Sequence, residues 1–219
     1  MEIINFDSGS SRENKHHFLL PDCHYMIIGP TGCGKTNLLC NLLTRWMYAD
    51  KITIYTINGE QEKYILLKEF FDAVGGETGE NILEINKPED VVSVDELDDE
   101  EEKVIVFDDI RIDKKNMDRI KEYFSLSRNK SCNCIYLTQS YYDVPKYIRR
   151  NTKCFCLYPN LDNKDVRFIA NDHANSLTDD SLFDIYKQAT NDQYNFFVID
   201  KTSKHPPEMY RRNFDQFYF

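Results

Sequence analysis

The 219-residue sequence lacks any long apolar run. Its longest apolar stretches, such as residues 104–107 and 195–199, have the length of single strands, so we expect no membrane-spanning segment. The polar N-terminus contains no apolar segment of the kind found in secretory signals. The seven cysteines are an odd number without the spacing of a disulfide framework, which favours a reducing compartment. These absences predict an intracellular protein without a membrane segment.

The chain also lacks a linker rich in proline, glycine or serine, and it contains no internal repeat. We therefore expect a single domain over residues 1–219, with an N-terminal extension (1–23), a core (24–200) and a C-terminal tail (201–219). Strand-like and helix-like segments alternate in the core, which is typical of an α/β fold whose mostly parallel sheet has helices on both faces. The aromatic tail is expected to pack on the core or on an adjacent subunit. The predicted strands are 24–29, 51–57, 81–85, 103–107, 132–138, 154–158 and 194–200, and the predicted helices are 37–48, 60–73, 114–129, 143–150, 162–173 and 178–190.

Charge is unevenly distributed around a net value of −10. Residues 89–109 contain eleven acidic side chains and one lysine, whereas residues 111–153 contain eleven Lys or Arg against four acids. The basic block has two interpretations. It consists either of solvated helix faces or of a band that contacts a phosphate backbone while the remaining surface stays acidic.

The most informative segment present is GPTGCGKT at residues 29–36, which matches the pattern G-x-x-x-x-G-K-[ST] of a phosphate-binding loop (P-loop). The apolar residues 25–28 before it predict a buried strand, and residues 37–48 after it predict a helix. In such a loop the backbone surrounds phosphate oxygens at a helix N-terminus. We expect the Lys35 ammonium to reach the β- and γ-phosphates and the Thr36 hydroxyl to bind Mg²⁺. The predicted nucleotide-binding residues are Gly29, Pro30, Thr31, Gly32, Cys33, Gly34, Lys35 and Thr36.

Polar side chains follow two further predicted strands. The segment VIVFDD ends in Asp108 and Asp109, and the strand 132–138 is followed by Gln139. Because the carboxyl ends of parallel strands face one crevice, Asp108 is expected to bind Mg²⁺ and Asp109 to deprotonate the attacking water. One of these aspartates is alternatively a helix N-cap. We expect Gln139 to reach the γ-phosphate or its attacking water, the alternative being a glutamine that opens a turn.

Together with SRNKSCNCIYLTQSYYDVPK and YIRRN, these motifs make residues 24–158 resemble the viral genome-packaging ATPases of the FtsK–HerA superfamily, particularly the poxvirus-type branch. The resemblance implies a RecA-like P-loop NTPase core that binds ATP and Mg²⁺. It also implies a ring homo-oligomer, a hexamer or pentamer, that moves double-stranded DNA into a capsid. Viral capsid or portal-vertex proteins would be partners, at assembly sites in the host cytoplasm or nucleus or in the virion.

The resemblance assigns the catalytic roles to Lys35, Asp109 and Gln139, and it adds Arg128 and Arg149, either of which could be an arginine finger on the neighbouring subunit's ATP. The alternative for both arginines is a DNA-backbone contact or a surface charge. Most of the superfamily has Glu at the Asp109 position. Viral relatives often have His at the Asn129 position. Two other functions stay open, a P-loop nucleotide kinase and a nucleotide-dependent regulatory switch.

Overall fold

In the computed structural model, strands and helices alternate along the chain. The model describes residues 23–76, 81–98, 100–110, 114–173, 177–203, 206–214 and 216–217. The strands are β1 (Tyr25–Ile28), β2 (Lys51–Thr56), β3 (Leu83–Asn86), β4 (Lys103–Asp108), β5 (Cys132–Thr138), β6 (Cys154–Leu157), β7 (Phe197–Asp200), β8 (Tyr210–Arg212) and β9 (Gln216–Phe217). The helices are α1 (Lys35–Asn41), α2 (Glu62–Gly76), α3 (Lys114–Leu126), α4 (Lys146–Asn151), α5 (Asn163–His173), α6 (Asp179–Ala189) and α7 (Pro206–Met209). Over these described ranges, no helix is long and apolar enough to cross a membrane.

The described residues form two compact units, and the first comprises Cys23 with Thr36–Ile135. Its strands are ordered β3-β2-β4-β5, and β2 is parallel to both β3 and β4. Nearly every residue of β2 and β4 is buried, as expected for apolar parallel strands covered on both faces. At the centre Phe107 stacks on Tyr55, with ring centroids 5.7 Å apart, and meets Tyr123 edge-on at 5.4 Å. This packing anchors the end of β4 where the two aspartates follow.

The second unit comprises His24–Lys35 and the described part of Tyr136–Phe219. Its strands are ordered β5-β1-β6-β7-β8-β9. Strand β1 is parallel to β6, whereas the β6–β7, β7–β8 and β8–β9 pairs are antiparallel. Arg211 on β8 donates to the Asp200 carboxylate on β7 at 2.5 Å, and both side chains are buried. The predicted α/β class with a mostly parallel sheet is confirmed, and the antiparallel strands follow the parallel part.

Two predicted elements differ from the structure near the phosphate-binding loop. The helix expected over 37–48 begins at Lys35 and passes into a π-helical turn, Leu42–Trp46, in which Met47 N donates to Leu42 O at 2.8 Å. Its four leucines are buried as predicted. The strand expected from 194 begins only at Phe197, because Tyr194 has a φ of +69°, which is outside the range of extended strands.

The C-terminal tail contains strands that the sequence analysis did not predict, β8 and β9. Tyr210 and Phe214 are buried, so the tail packs within its own unit. The expected extension, 1–23, lies outside the described residues except for Cys23. The expected division into extension, core and tail stays a prediction, because the two units are interleaved along the chain.

Candidate functional site

The phosphate-binding loop of the second unit has the backbone geometry that its glycines predict. It follows β1, and Gly29 N donates to Thr138 O of β5 at 3.1 Å, which fixes the loop's entry beside the end of β5. Gly32 and Gly34 have φ values of +79° and +115°, a region that side-chain-bearing residues rarely adopt. The loop then enters α1 at Lys35, so its backbone N–H groups lie at a helix N-terminus.

Gly29 is required for a different reason, which is close packing. A Cβ at this position would lie 2.6 Å from both Cys33 Sγ and Tyr158 Cβ, too close for any side chain. Tyr158 also donates from its hydroxyl to Gly34 O at 3.2 Å, so one buried ring supports both ends of the loop. The sequence analysis missed Tyr158, which looks in the sequence like one more apolar residue after a strand.

The Lys35 side chain is largely buried and lies over the loop. Its ammonium donates to Gly29 O at 2.7 Å and to Pro30 O at 3.1 Å. Cys33 shares this environment. Burial raises the pKa of its thiol, and the nearby Lys35 charge opposes the rise only in part. The net increase keeps Cys33 a neutral thiol at physiological pH.

Asp108 and Asp109 belong to the first unit and lie at the end of β4, where their surroundings differ from each other. Asp108 is buried, and its Oδ2 accepts a 2.6 Å hydrogen bond from the hydroxyl of Tyr64 on α2. Asp109 is half-buried and has a φ of +48°, so the chain turns sharply directly after the strand. A left-handed residue at this point redirects the chain away from β4. In the described part of the chain, the next helix after these aspartates is α3, which begins at Lys114.

Tyr64 is a second residue that the sequence analysis missed. It is fully buried, and burial raises the pKa of its phenol well above the ordinary value, with the neighbouring Asp108 carboxylate adding to the effect. The phenol therefore stays protonated and donates to Asp108 across the physiological pH range. No local pattern marks this residue, because an aromatic side chain on the apolar face of a helix is ordinarily read as core.

The donor atoms in the first unit fit a magnesium ion. The Thr36 hydroxyl and the Asp108 carboxylate are both hard oxygen donors, which Mg²⁺ prefers. Throughout the described ranges, no group of three or more His, Cys, Asp or Glu side chains forms a ready metal cage. A hydroxyl and one carboxylate suit Mg²⁺, which usually keeps several waters and binds one or two carboxylates together with substrate phosphates.

Gln139 lies on a cleft that also includes the phosphate-binding loop. It is exposed directly after β5 and lines a cavity of about 280 Å³ together with Pro30. Asp165 lines the same cavity, and its Oδ1 accepts from Ser140 Oγ at 3.2 Å and from Tyr142 N at 2.8 Å. The second unit thus brings the predicted sensor residue next to the loop. A larger cavity of about 670 Å³ lies between α5 and α6, and none of the predicted site residues lines it.

Contacts within the second unit hold the Arg149 side chain. The side chain is buried, donates to Asp172 Oδ2 at 2.9 Å and lies over the Tyr141 ring with its guanidinium carbon 4.7 Å from the centroid. The Tyr141 hydroxyl donates to the same Asp172 oxygen at 2.8 Å. Burial lowers the pKa of His173, which also contacts that hydroxyl, to about 3, so the imidazole is neutral at physiological pH. The sequence analysis missed Asp172 as the partner of Arg149, and it missed His173 as the partner of the Tyr141 hydroxyl.

Arg128, the other candidate finger, lies in the 3₁₀ turn Ser127–Lys130 between α3 and β5. Its side chain is outside the described part of the structure.

Sequence comparison identifies the family of this chain. The family model described as Poxvirus A32 protein matches residues 11–204, which is most of the chain. The chain belongs to the Poxvirus A32 protein family. The resemblance to poxvirus-type packaging ATPases that the motifs predicted is therefore confirmed. Among curated protein sequences, none matches this A32-family chain significantly.

Solved structures show the fold of this A32-family chain. The DNA-packaging ATPase B204 of Sulfolobus turreted icosahedral virus is similar with a TM-score of 0.57 and 15% identity, over 84% of this chain and 95% of that one. The genome-packaging NTPase B204 of Sulfolobus turreted icosahedral virus 2 in complex with AMPPCP gives a TM-score of 0.57 and 14% identity, over 85% and 96%. The complex of the same NTPase with AMP gives a TM-score of 0.57 and 14% identity, over 89% of this chain and 98% of that one. The predicted P-loop NTPase fold is confirmed.

Proposed function

We propose that this A32-family protein is a viral genome-packaging ATPase, which hydrolyses ATP to move double-stranded DNA into a capsid. The observation that carries the proposal is the P-loop itself, with Gly32 and Gly34 in left-handed geometry and Gln139 on the adjoining cleft. A P-loop by itself is compatible with many reactions. Family membership and the fold shared with two B204 packaging enzymes favour packaging over a nucleotide kinase or a regulatory switch.

In the proposed reaction the loop's backbone N–H groups and Lys35 bind the phosphates of ATP. Thr36 and Asp108 would hold Mg²⁺, which would neutralise charge that develops on the phosphate oxygens. Asp109 accepts the proton of the attacking water, and Gln139 contacts the γ-phosphate or that water. Asp109 is one methylene shorter than the Glu usual in the superfamily, and its φ of +48° turns the chain directly after β4.

The proposal extends to a ring homo-oligomer, a hexamer or pentamer, with capsid or portal-vertex proteins as further partners at viral assembly sites in the infected cell. We assign the arginine finger to Arg128 in preference to Arg149, because the Arg149 guanidinium is already engaged with Asp172 and Tyr141. The lysines and arginines of the basic block 111–153 other than Arg128 and Arg149 are the proposed contacts with the DNA backbone.

The test of this function is steady-state ATP hydrolysis by the full chain with and without linear double-stranded DNA, with the oligomeric state followed by light scattering. We expect DNA to increase turnover, and the increase to fall steeply with added salt because the contacts are with phosphates. Heparin at equal charge is the control for a general polyanion effect. Equal turnover with and without DNA in samples that form the oligomer would contradict the packaging function. It would favour a kinase or a switch.

The Tyr64–Asp108 hydrogen bond yields a separate prediction for the metal site. Tyr64→Phe removes the donor that orients the Asp108 carboxylate, so we expect the Mg²⁺ concentration for half-maximal hydrolysis to rise about tenfold. Magnesium titrations of the ATPase rate measure this shift. Tyr48→Phe is the matched control, because it removes another Tyr–Asp hydrogen bond of the same unit, to Asp50 at 2.5 Å. An unchanged Mg²⁺ dependence in Tyr64→Phe would contradict the positioning role of Tyr64.

A further inference from the structure

Tyr194 combines an unusual backbone conformation with an exposed ring beside the phosphate-binding loop. Its φ is +69°, a conformation that is strained for a bulky side chain, and 57% of the residue is exposed. A Cβ built on Gly34 would lie 3.4 Å from Tyr194 Cδ1, so the edge of the ring borders the loop where it enters α1. Strained residues of this kind persist where surrounding contacts hold them, and they cluster at ligand-binding sites.

The residues on either side of Tyr194 hold this conformation in place. Asp192 forms an ion pair with Arg212 of β8, and Asn195 N donates back to Asp192 O at 3.3 Å. On the other side Phe196 N donates to Asn213 Oδ1 at 3.2 Å, and Asn213 N donates to Phe196 O at 2.8 Å. The segment 192–196 is therefore bonded at both ends to β8 or to Asn213 directly after it. These contacts fix the position of the Tyr194 backbone.

The Tyr194 ring is also available for contact. Within the described chain no aromatic ring or cation covers it, whereas the exposed Tyr142 near the same loop has Lys164 Nζ 3.5 Å from its ring centroid and the Phe168 ring at 5.0 Å. The buried Tyr158 also borders Gly34, and its ring packs against Phe196, with ring centroids 5.5 Å apart. Tyr158 thus contacts the loop as a buried residue, whereas the Tyr194 ring beside the loop is exposed.

We propose that Tyr194 is a stacking platform for the base of the nucleotide whose phosphates the loop binds. The proposal rests on the nucleotide binding proposed above and adds the base subsite to it. A triphosphate seated in the loop must place its ribose and base on the surface beside the loop, where the Tyr194 ring is the open aromatic surface among the described residues. Stacking on an aromatic ring tolerates every base, because each base has a π-face. Tyr194 consequently contributes affinity for adenine and guanine nucleotides alike.

The test compares a ligand that has a base with one that lacks it. Dissociation constants of ATPγS, GTPγS and inorganic tripolyphosphate are measured by calorimetry for the wild type, Tyr194→Asn and Tyr194→Phe. Asparagine tolerates a positive φ, so Tyr194→Asn removes the ring without adding backbone strain. We expect Tyr194→Asn to raise the dissociation constants of ATPγS and GTPγS about tenfold and to leave that of tripolyphosphate unchanged. Tyr194→Phe keeps the ring and is expected to bind like the wild type.

Tyr147→Asn removes another exposed tyrosine of the same unit and serves as the matched control. Equal ATPγS affinity of Tyr194→Asn and the wild type would overturn the stacking role. An equal loss for tripolyphosphate would also overturn it, because the substitution would then be acting on the loop. If the wild type binds neither ATPγS nor tripolyphosphate, the proposed nucleotide binding fails together with this inference.

Discussion

Replacement of Lys35 by alanine is expected to lower ATP hydrolysis by about 100- to 1000-fold. Its buried ammonium lies over the loop within 3.1 Å of two carbonyl oxygens, in a position to meet charge that grows on the phosphates during transfer. Removal of one preorganised donor of this kind typically costs that factor in kcat. Phosphate release at saturating ATP, with and without double-stranded DNA, measures the loss.

Lys187→Ala is the matched control, because it removes a lysine of the same unit that lies over the Phe183 ring of α6. It is expected to keep wild-type turnover. Retention of more than a tenth of the wild-type rate by Lys35→Ala, at an unchanged melting temperature, would contradict the assigned role of the ammonium.

Replacement of Arg149 by alanine is expected to lower the free energy of unfolding by about 3 kcal/mol. The change removes a hydrogen bond to a carboxylate, which contributes about 1.5–3 kcal/mol, and a cation–π contact worth about 0.5–2 kcal/mol. The exposed part of Asp172 reduces the ion-pair contribution, so we take the lower part of the combined range. Urea denaturation followed by circular dichroism measures the change.

Arg150→Ala is the natural comparison, because Arg150 is the exposed neighbour on the same helix, and we expect less than about 0.5 kcal/mol of change. Arg149→Lys retains the charge without the planar guanidinium, so it should recover only part of the loss. If Arg149→Ala unfolds like the wild type but loses hydrolysis, Arg149 is the arginine finger and our assignment to Arg128 is wrong.

Most elements of the fold were predictable because their signals are local. Strand β5 was predicted with its observed bounds, and β2 and β4 differ by one residue, since segments rich in β-branched and aromatic residues mark strands. The prediction was wrong at the start of β7, where the left-handed Tyr194 lies inside an apparently apolar segment. It also missed β8 and β9, whose short strands in an aromatic tail carry no clear alternation of apolar and polar residues.

Some features of the candidate site were also predictable from the sequence, and others were not. Gly32 and Gly34 have the positive φ that their motif predicts, and Gln139 lies on the cleft beside Pro30. The catalytic roles of Asp109, Gln139 and Arg128 stay predictions. The partner of Arg149 was not predictable, because the sequence shows only a basic residue in a short helix and gives no sign of which carboxylate it meets.

The sequence by itself determined the phosphate-binding loop, since its requirements lie within eight consecutive residues whose backbone angles and side chains act locally. Tertiary structure alone decided which side chains support that loop and which side chain holds Asp108 at the end of β4. Tyr64 meets Asp108 across 44 positions of the chain, Arg149 meets Asp172 across 23, and Tyr158 meets Gly34 across 124. Such contacts depend on how the strands and helices are packed in three dimensions, and no pattern of neighbouring residues encodes that arrangement.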